Sequence, residues 1–244
     1  MRARLIAAAA LALALAAPAR ADLEAGLAAY DAEDWATALR ELLPEAEAGN
    51  AEAQYRVGVI YLEGRSVPAE LEVALEWHLA AVHNGSNRAM YSLGLLYDDG
   101  ELAPRNLDRA ECWYRLAAER GDSSSQYVLS VLLIKRLEWT ESDYWRQRAI
   151  AQRDAYALYA EGRTRLWNPL REDKIEAHKM LLLAAGRGMQ AAVDTVARIR
   201  ELGLSDRRQR QFDEARRLAD AWQAKPEPQA ATPLDEIPAD CMTT

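Results

Sequence analysis

The feature that most constrains the fold is self-similarity: Ala51 to Ser86 align with Asn87 to Asp122 without a gap, a period of 36 residues. Ala53 pairs with Ala89, Tyr55 with Tyr91, Gly58 with Gly94, Tyr61 with Tyr97 and Gly64 with Gly100. The second half adds Pro68 with Pro104, Ala74 with Ala110, Trp77 with Trp113, Ala81 with Ala117 and Gly85 with Gly121. A fixed period of this length marks stacked supersecondary units. Each unit reads as two helices. Ala53, Val57, Tyr61 and Gly64 recur at steps of three or four, the spacing of one helical face. Gly58 sits beside that face, and its recurrence predicts a close approach by a neighbouring helix. Gly64 ends the first helix and Pro68 marks the entry to the next, which presents Ala74, Trp77 and Ala81 and stops at Gly85. A single pair cannot bury that surface, so the units must stack.

The pattern weakens on both sides. Leu23 to Gly49 reads as an N-terminal pair, with Ala38 and Gly49 keeping the spacing of Ala74 and Gly85. Downstream, Tyr127, Leu129, Ser130 and Leu133 replace Tyr91, Leu93, Gly94 and Tyr97, Arg136 takes the glycine position, and the next helix is drawn in by four residues. A looser fourth unit keeps Ala177, Met180, Ala184 and Gly188. Two closing helices follow, the last with Phe212, Ala215, Leu218, Ala219 and Trp222 on one face. The expected division is a leader at 1–21, a repeat body at 22–224, and a disordered, Pro-rich acidic tail at 225–244. Within the body the units fall near 23–50, 51–86, 87–122, 123–154 and 155–188, with closing helices at 189–224.

The motifs A-x-A-Q-Y-x-V-G-x-x-Y-x-x-G (51–64) and A-x-x-W-x-x-x-A-x-x-x-G (74–85) closely resemble the Sel-one-like repeat family, a relative of tetratricopeptide repeats. The resemblance is specific over 51–122 and extends in degraded form from Leu23 to Trp222. It implies an all-α, right-handed solenoid of stacked antiparallel helix pairs with about a dozen helices. It also implies a non-enzymatic adaptor or scaffold whose partner is another protein or peptide, in bacteria often tied to envelope signalling or exopolysaccharide control.

The first 21 residues read as an export signal: Arg2 and Arg4, an apolar run from Leu5 to Ala17, and Ala19-Arg20-Ala21 before the cut. Asp22 rather than a cysteine follows the cut, which argues against a lipid anchor, and the expected compartment is the periplasm or the exterior. The apolar run is too short for a stable span, and no integral membrane segment is expected. The full chain carries formal charge −8; without the three arginines of the leader it is −11. Such an acidic body disfavours nucleic acid.

Catalytic patterns are not found. No serine is followed three residues later by lysine, and there is no HExxH helix or phosphate-cradling glycine loop. Cofactors and metals are therefore not expected, and a peptidoglycan or β-lactam hydrolase is the least favoured reading. His78, His83 and His178 read as packing or surface residues. Recognition of a cell-wall glycan by exposed Tyr and Trp is an alternative function. Cys112 and Cys241 either pair, pinning the tail, or stay free, or pair between chains. The candidate binding groove is the stripe opposite the core face of each first helix: Glu52, Arg56, Val59 and Glu63, then Arg88, Ser92, Leu95 and Asp99, then Ser124, Val128, Val131 and Lys135. By resemblance, Val59, Leu95 and Val131 form an apolar seam in the concave face; the competing reading packs that column between adjacent first helices.

Overall fold

In the computed structural model, residues 22–167, 174–201, 206–225, 227 and 237–242 are described, and all regular structure among them is helical. Thirteen helices follow in order: α1 (Leu23–Asp31), α2 (Trp35–Glu47), α3 (Ala51–Glu63), α4 (Leu71–His83), α5 (Asn87–Asp99), α6 (Leu107–Glu119) and α7 (Ser123–Lys135). Then come α8 (Trp139–Ala151), α9 (Ala155–Trp167), α10 (Lys174–Gly186), α11 (Gln190–Glu201), α12 (Asp206–Ala221) and the short α13 (Ala239–Met242). Consecutive helices pack as pairs, α1 on α2, α3 on α4, α7 on α8 and α9 on α10.

The chain forms two compact units, residues up to 112 with the C-terminal segment from 230, and residues 113–229. Charge divides with them. Outside the leader the first unit has 21 Asp and Glu against 6 Lys and Arg, a net −15, whereas 113–229 has 17 against 21, a net +4.

The 36-residue period is written into the caps. Asn50, Ser86 and Asp122 each accept a hydrogen bond from the backbone N–H three residues on, at 3.0, 3.2 and 2.7 Å. Before each cap stands a glycine with left-handed backbone, Gly49, Gly85 and Gly121, at φ 94°, 91° and 91°. The third pair keeps the conformations with costlier residues. Arg136 has ordinary backbone, φ −89°, and Leu137 takes φ 65°; Arg153 does so at φ 64° before the cap Asp154. The turn from α7 to α8 has three residues where that from α3 to α4 has seven, which accounts for the four-residue contraction.

Small residues let the pairs close. A Cβ on Gly58 would lie 2.5 Å from Nδ1 of His78, and one on Gly162 would lie 3.0 Å from Cγ of Leu181. The first unit's core runs through Leu42, Ala53, Val57, Ile60 and Ala74, the second's through Leu158, Leu181, Ala184 and Phe212. On α12, Phe212, Ala215 and Ala219 are buried, but Leu218, expected on the same face, is 42% exposed.

A glutamine repeats in both units. Gln54 Nε2 donates to the Ala46 carbonyl at 2.9 Å, and Gln126 Nε2 to the Ala118 carbonyl at 3.1 Å, each eight residues back on the preceding helix. Each glutamine oxygen accepts from a side-chain amide near the end of its partner helix, Asn84 or Gln152, at 2.9 Å.

The segment from 225, expected to be a disordered tail, is anchored wherever it is described. Cys241 is buried and forms a disulfide with Cys112, and Arg109, stacked 3.9 Å above Tyr97, donates to the Cys241 carbonyl at 3.2 Å. In the second unit the Lys225 N–H donates to the Ala151 carbonyl at 2.8 Å. Glu227 accepts from Arg148 Nε at 2.6 Å and Gln126 Nε2 at 3.0 Å, and the arginine holds its carboxyl below the usual range. The leader, 1–21, and the rest of the segment lie outside the described residues.

Candidate protein-binding surface

The face of α3 and α5 turned away from the core carries the first unit's part of the candidate groove. Glu52 and Arg88 hold the same position in successive repeats, so parallel first helices bring them opposite each other. Arg88 Nη1 donates to Glu52 Oε1 at 2.8 Å, and Arg56 Nε, one turn along α3, donates to the same oxygen at 2.8 Å. Arg56 reaches further, to Asp31 of α1 at 3.5 Å, and its guanidinium lies 4.3 Å from the centre of the Tyr30 ring. Three first helices are thus joined by a surface chain, Asp31–Arg56–Glu52–Arg88. Burial raises the Tyr30 hydroxyl pKa, an effect that the adjacent Arg56 charge only partly opposes.

Beyond this chain Val59 is half-buried, while Leu95 on α5 is 43% exposed. Glu63 and Asp99 are exposed at the C-terminal ends, Glu63 paired with Arg65 at 3.1 Å. Ser92 behaves differently from the groove residue expected. Its hydroxyl lies 3.1 Å from Nε2 of the buried His78, whose Nδ1 lies 2.8 Å from the Ala74 carbonyl. Because a carbonyl only accepts, Nδ1 carries the proton and Nε2 accepts from Ser92. Burial pushes the His78 pKa down, so this imidazole is neutral. The crevice beside it, lined by Leu62, Leu75, Leu93 and Leu96, is too narrow to admit a water molecule.

Val131 belongs to the second unit, half-buried on α7, as are Ser124 and Val128; Lys135 is exposed. There the polar face is built differently. Glu161 of α9, 3% exposed, accepts from Arg165 Nε at 2.6 Å and from Arg146 of α8, which also pairs with Asp143. Sequence reasoning missed Asp31, Tyr30 and Glu161. For the first two a signal existed, since Arg56 continues the column that Arg88 answers. Among the described residues no three His, Cys, Asp or Glu side chains are placed to hold a metal ion, and no helix is long and apolar enough to cross a membrane.

Paired helices with caps at a fixed period define an α-helical repeat protein. The chain carries two Sel1 repeats, residues 51–86 and 87–122. Sel1 repeat proteins are generally non-enzymatic scaffolds. Solved structures share the fold: a Sel1 repeat protein from Oxalobacter formigenes is 23% identical, with TM-score 0.64 over 80% of this chain and 84% of that one. The protein c5321, a protective antigen of uropathogenic Escherichia coli strains with an SLR fold, is 25% identical with TM-score 0.58 over 73% of this chain, which spans only 40% of it. The immunity protein Pa5087 from Pseudomonas aeruginosa, 16% identical, gives TM-score 0.54 over 82% of this chain and 79% of that one. No curated protein matches the sequence.

Proposed function

We propose that the chain is an exported, non-enzymatic scaffold of the bacterial cell envelope, regulatory in role, that holds another protein or peptide against the first-helix face of its first unit. The observation that carries this reading is the state of that face. Its central charges are committed to one another in the Asp31–Arg56–Glu52–Arg88 chain, while Leu95 beside them stays 43% exposed as an apolar contact. Export is supported by the leader pattern and by the Cys112–Cys241 disulfide, a bond that persists in oxidising compartments.

Replacing Leu95 with Glu tests the surface. Capture of envelope proteins should fall, while folding stability changes by about 0.5 kcal/mol or less, as for an exposed site. A large loss of stability would make Leu95 a core residue and remove the site. For export, the mature protein should begin at Asp22 and appear in the periplasmic fraction without alkylatable thiols; cytoplasmic protein retaining residues 1–21 would overturn it.

A further inference from the structure

The second unit presents an apolar edge that its own packing leaves in water. At the turn between α7 and α8, Ile134 is 38% exposed, Leu137 69% and Trp139 59%. Among the described residues four non-glycines have positive φ; Glu33, Ser66 and Arg153 are polar, and the fourth is Leu137. The matching three-residue turns of the first unit place Glu33, Gly49 and Gly85 at this position. Leu137 therefore combines a strained backbone with an apolar side chain in solvent, and strain of this kind is characteristic of functional positions. Helix α9 lies against α7, and its C-terminal Trp167 is 69% exposed. Lys135 and Arg136 stand exposed beside the apolar residues, with Glu138 the acid of the turn, in a unit of net charge +4.

We propose that this edge is a peripheral docking surface for an anionic lipid bilayer. The turn places Leu137 and Trp139 in the interfacial layer and Lys135 and Arg136 against lipid phosphates. An exposed turn of mixed Ile, Leu and Trp suits a fluid surface that yields around it better than a protein pocket of fixed shape. Trp rings, apolar with one polar N–H, belong at the headgroup boundary. A few apolar side chains alone anchor weakly, so the adjacent cations supply the second signal that reversible membrane binding needs.

The test is co-sedimentation of protein starting at Asp22, disulfide intact, with phosphatidylcholine vesicles with and without phosphatidylglycerol. The protein should sediment with the anionic vesicles only, and less at high salt. Leu137→Gly should weaken binding about tenfold, the effect of withdrawing one buried leucine side chain, while relieving the turn, so that its thermal midpoint holds or rises. Trp139→Gln should weaken binding similarly, and Lys135→Glu with Arg136→Glu should abolish the preference for anionic lipid. Failure of the unaltered protein to sediment with anionic vesicles overturns the proposal, and is the outcome expected if the edge serves an acidic protein instead. Equal binding to neutral vesicles, or undiminished binding by both Leu137→Gly and Trp139→Gln, overturns it as well.

Discussion

In the first unit, acids and arginines meet at the surface: Glu52, its side chain 31% exposed, bridges Arg56 and Arg88. In the second an acid is sealed between arginines: the Glu161 side chain is 4% exposed beside Arg146 and Arg165. The first arrangement connects neighbouring first helices through water-accessible contacts, which salt screens and which are worth little. The second carries a dehydrated acid whose loss removes a buried partner from both Arg146, which keeps Asp143, and Arg165. The unit with regular repeats and a net charge of −15 thus tolerates change on its polar face, whereas the unit with degraded repeats depends on a buried ion cluster.

The largest effect that can break this contrast comes from the disulfide, because Cys112 and Cys241 both belong to the first unit yet close a loop, 129 residues in separation, that contains the entire second one. Replacing both cysteines with serine should cost up to about 5 kcal/mol in urea unfolding, through the freed chain entropy of that loop. A change below about 1 kcal/mol would mean that the clasp does not restrain the unfolded chain as this loop length requires.

Next in size is the pair Glu161→Ala and Glu52→Ala. The first should destabilise by about 3 kcal/mol, since Arg146 and Arg165 lose a buried partner. The second should cost under about 1 kcal/mol and become negligible at high salt. Equal losses would erase the distinction between the units.

The smallest effect is in pH. His78 in the first unit and His178 in the second both have pKa values lowered by burial from the ordinary 6.5. The unfolded chain therefore takes up protons first as pH falls below that value. The stability from each neutral imidazole, present in full above it, is lost as pH drops toward the folded pKa. His78→Gln should flatten this part of the stability–pH curve in proportion to one histidine; an unchanged curve would place the pH response in the second unit.

The repeat frame was legible because glycine, proline and alanine at fixed spacing have few structural alternatives. Gly49, Gly85 and Gly121 fall where left-handed backbone is required, and Ala53, Val57 and Tyr61 are buried as their spacing predicts. The polar details were not legible from spacing. Ser92 occupies a groove position in the stripe, but the room left by Gly58 draws His78 into reach, and the hydroxyl pairs with the imidazole. Leu218 meets the helical period yet stays exposed, since a period reports which residues share a face and not how wide the neighbour covering it is. The ends of the chain were hardest: nothing in a Pro-rich segment announces that Glu227 will meet Arg148, a contact made across 79 residues of sequence.

The twin glutamines bear on how such a chain can change over generations. Gln54 and Gln126 each dock on a main-chain carbonyl of the helix before, an atom that every amino acid supplies. A mutation at Ala46 or Ala118 leaves that acceptor in place so long as the helix survives. Each helix pair can therefore lose its recognisable residues without releasing the next, and a lineage can erode its signature from one end while keeping its architecture.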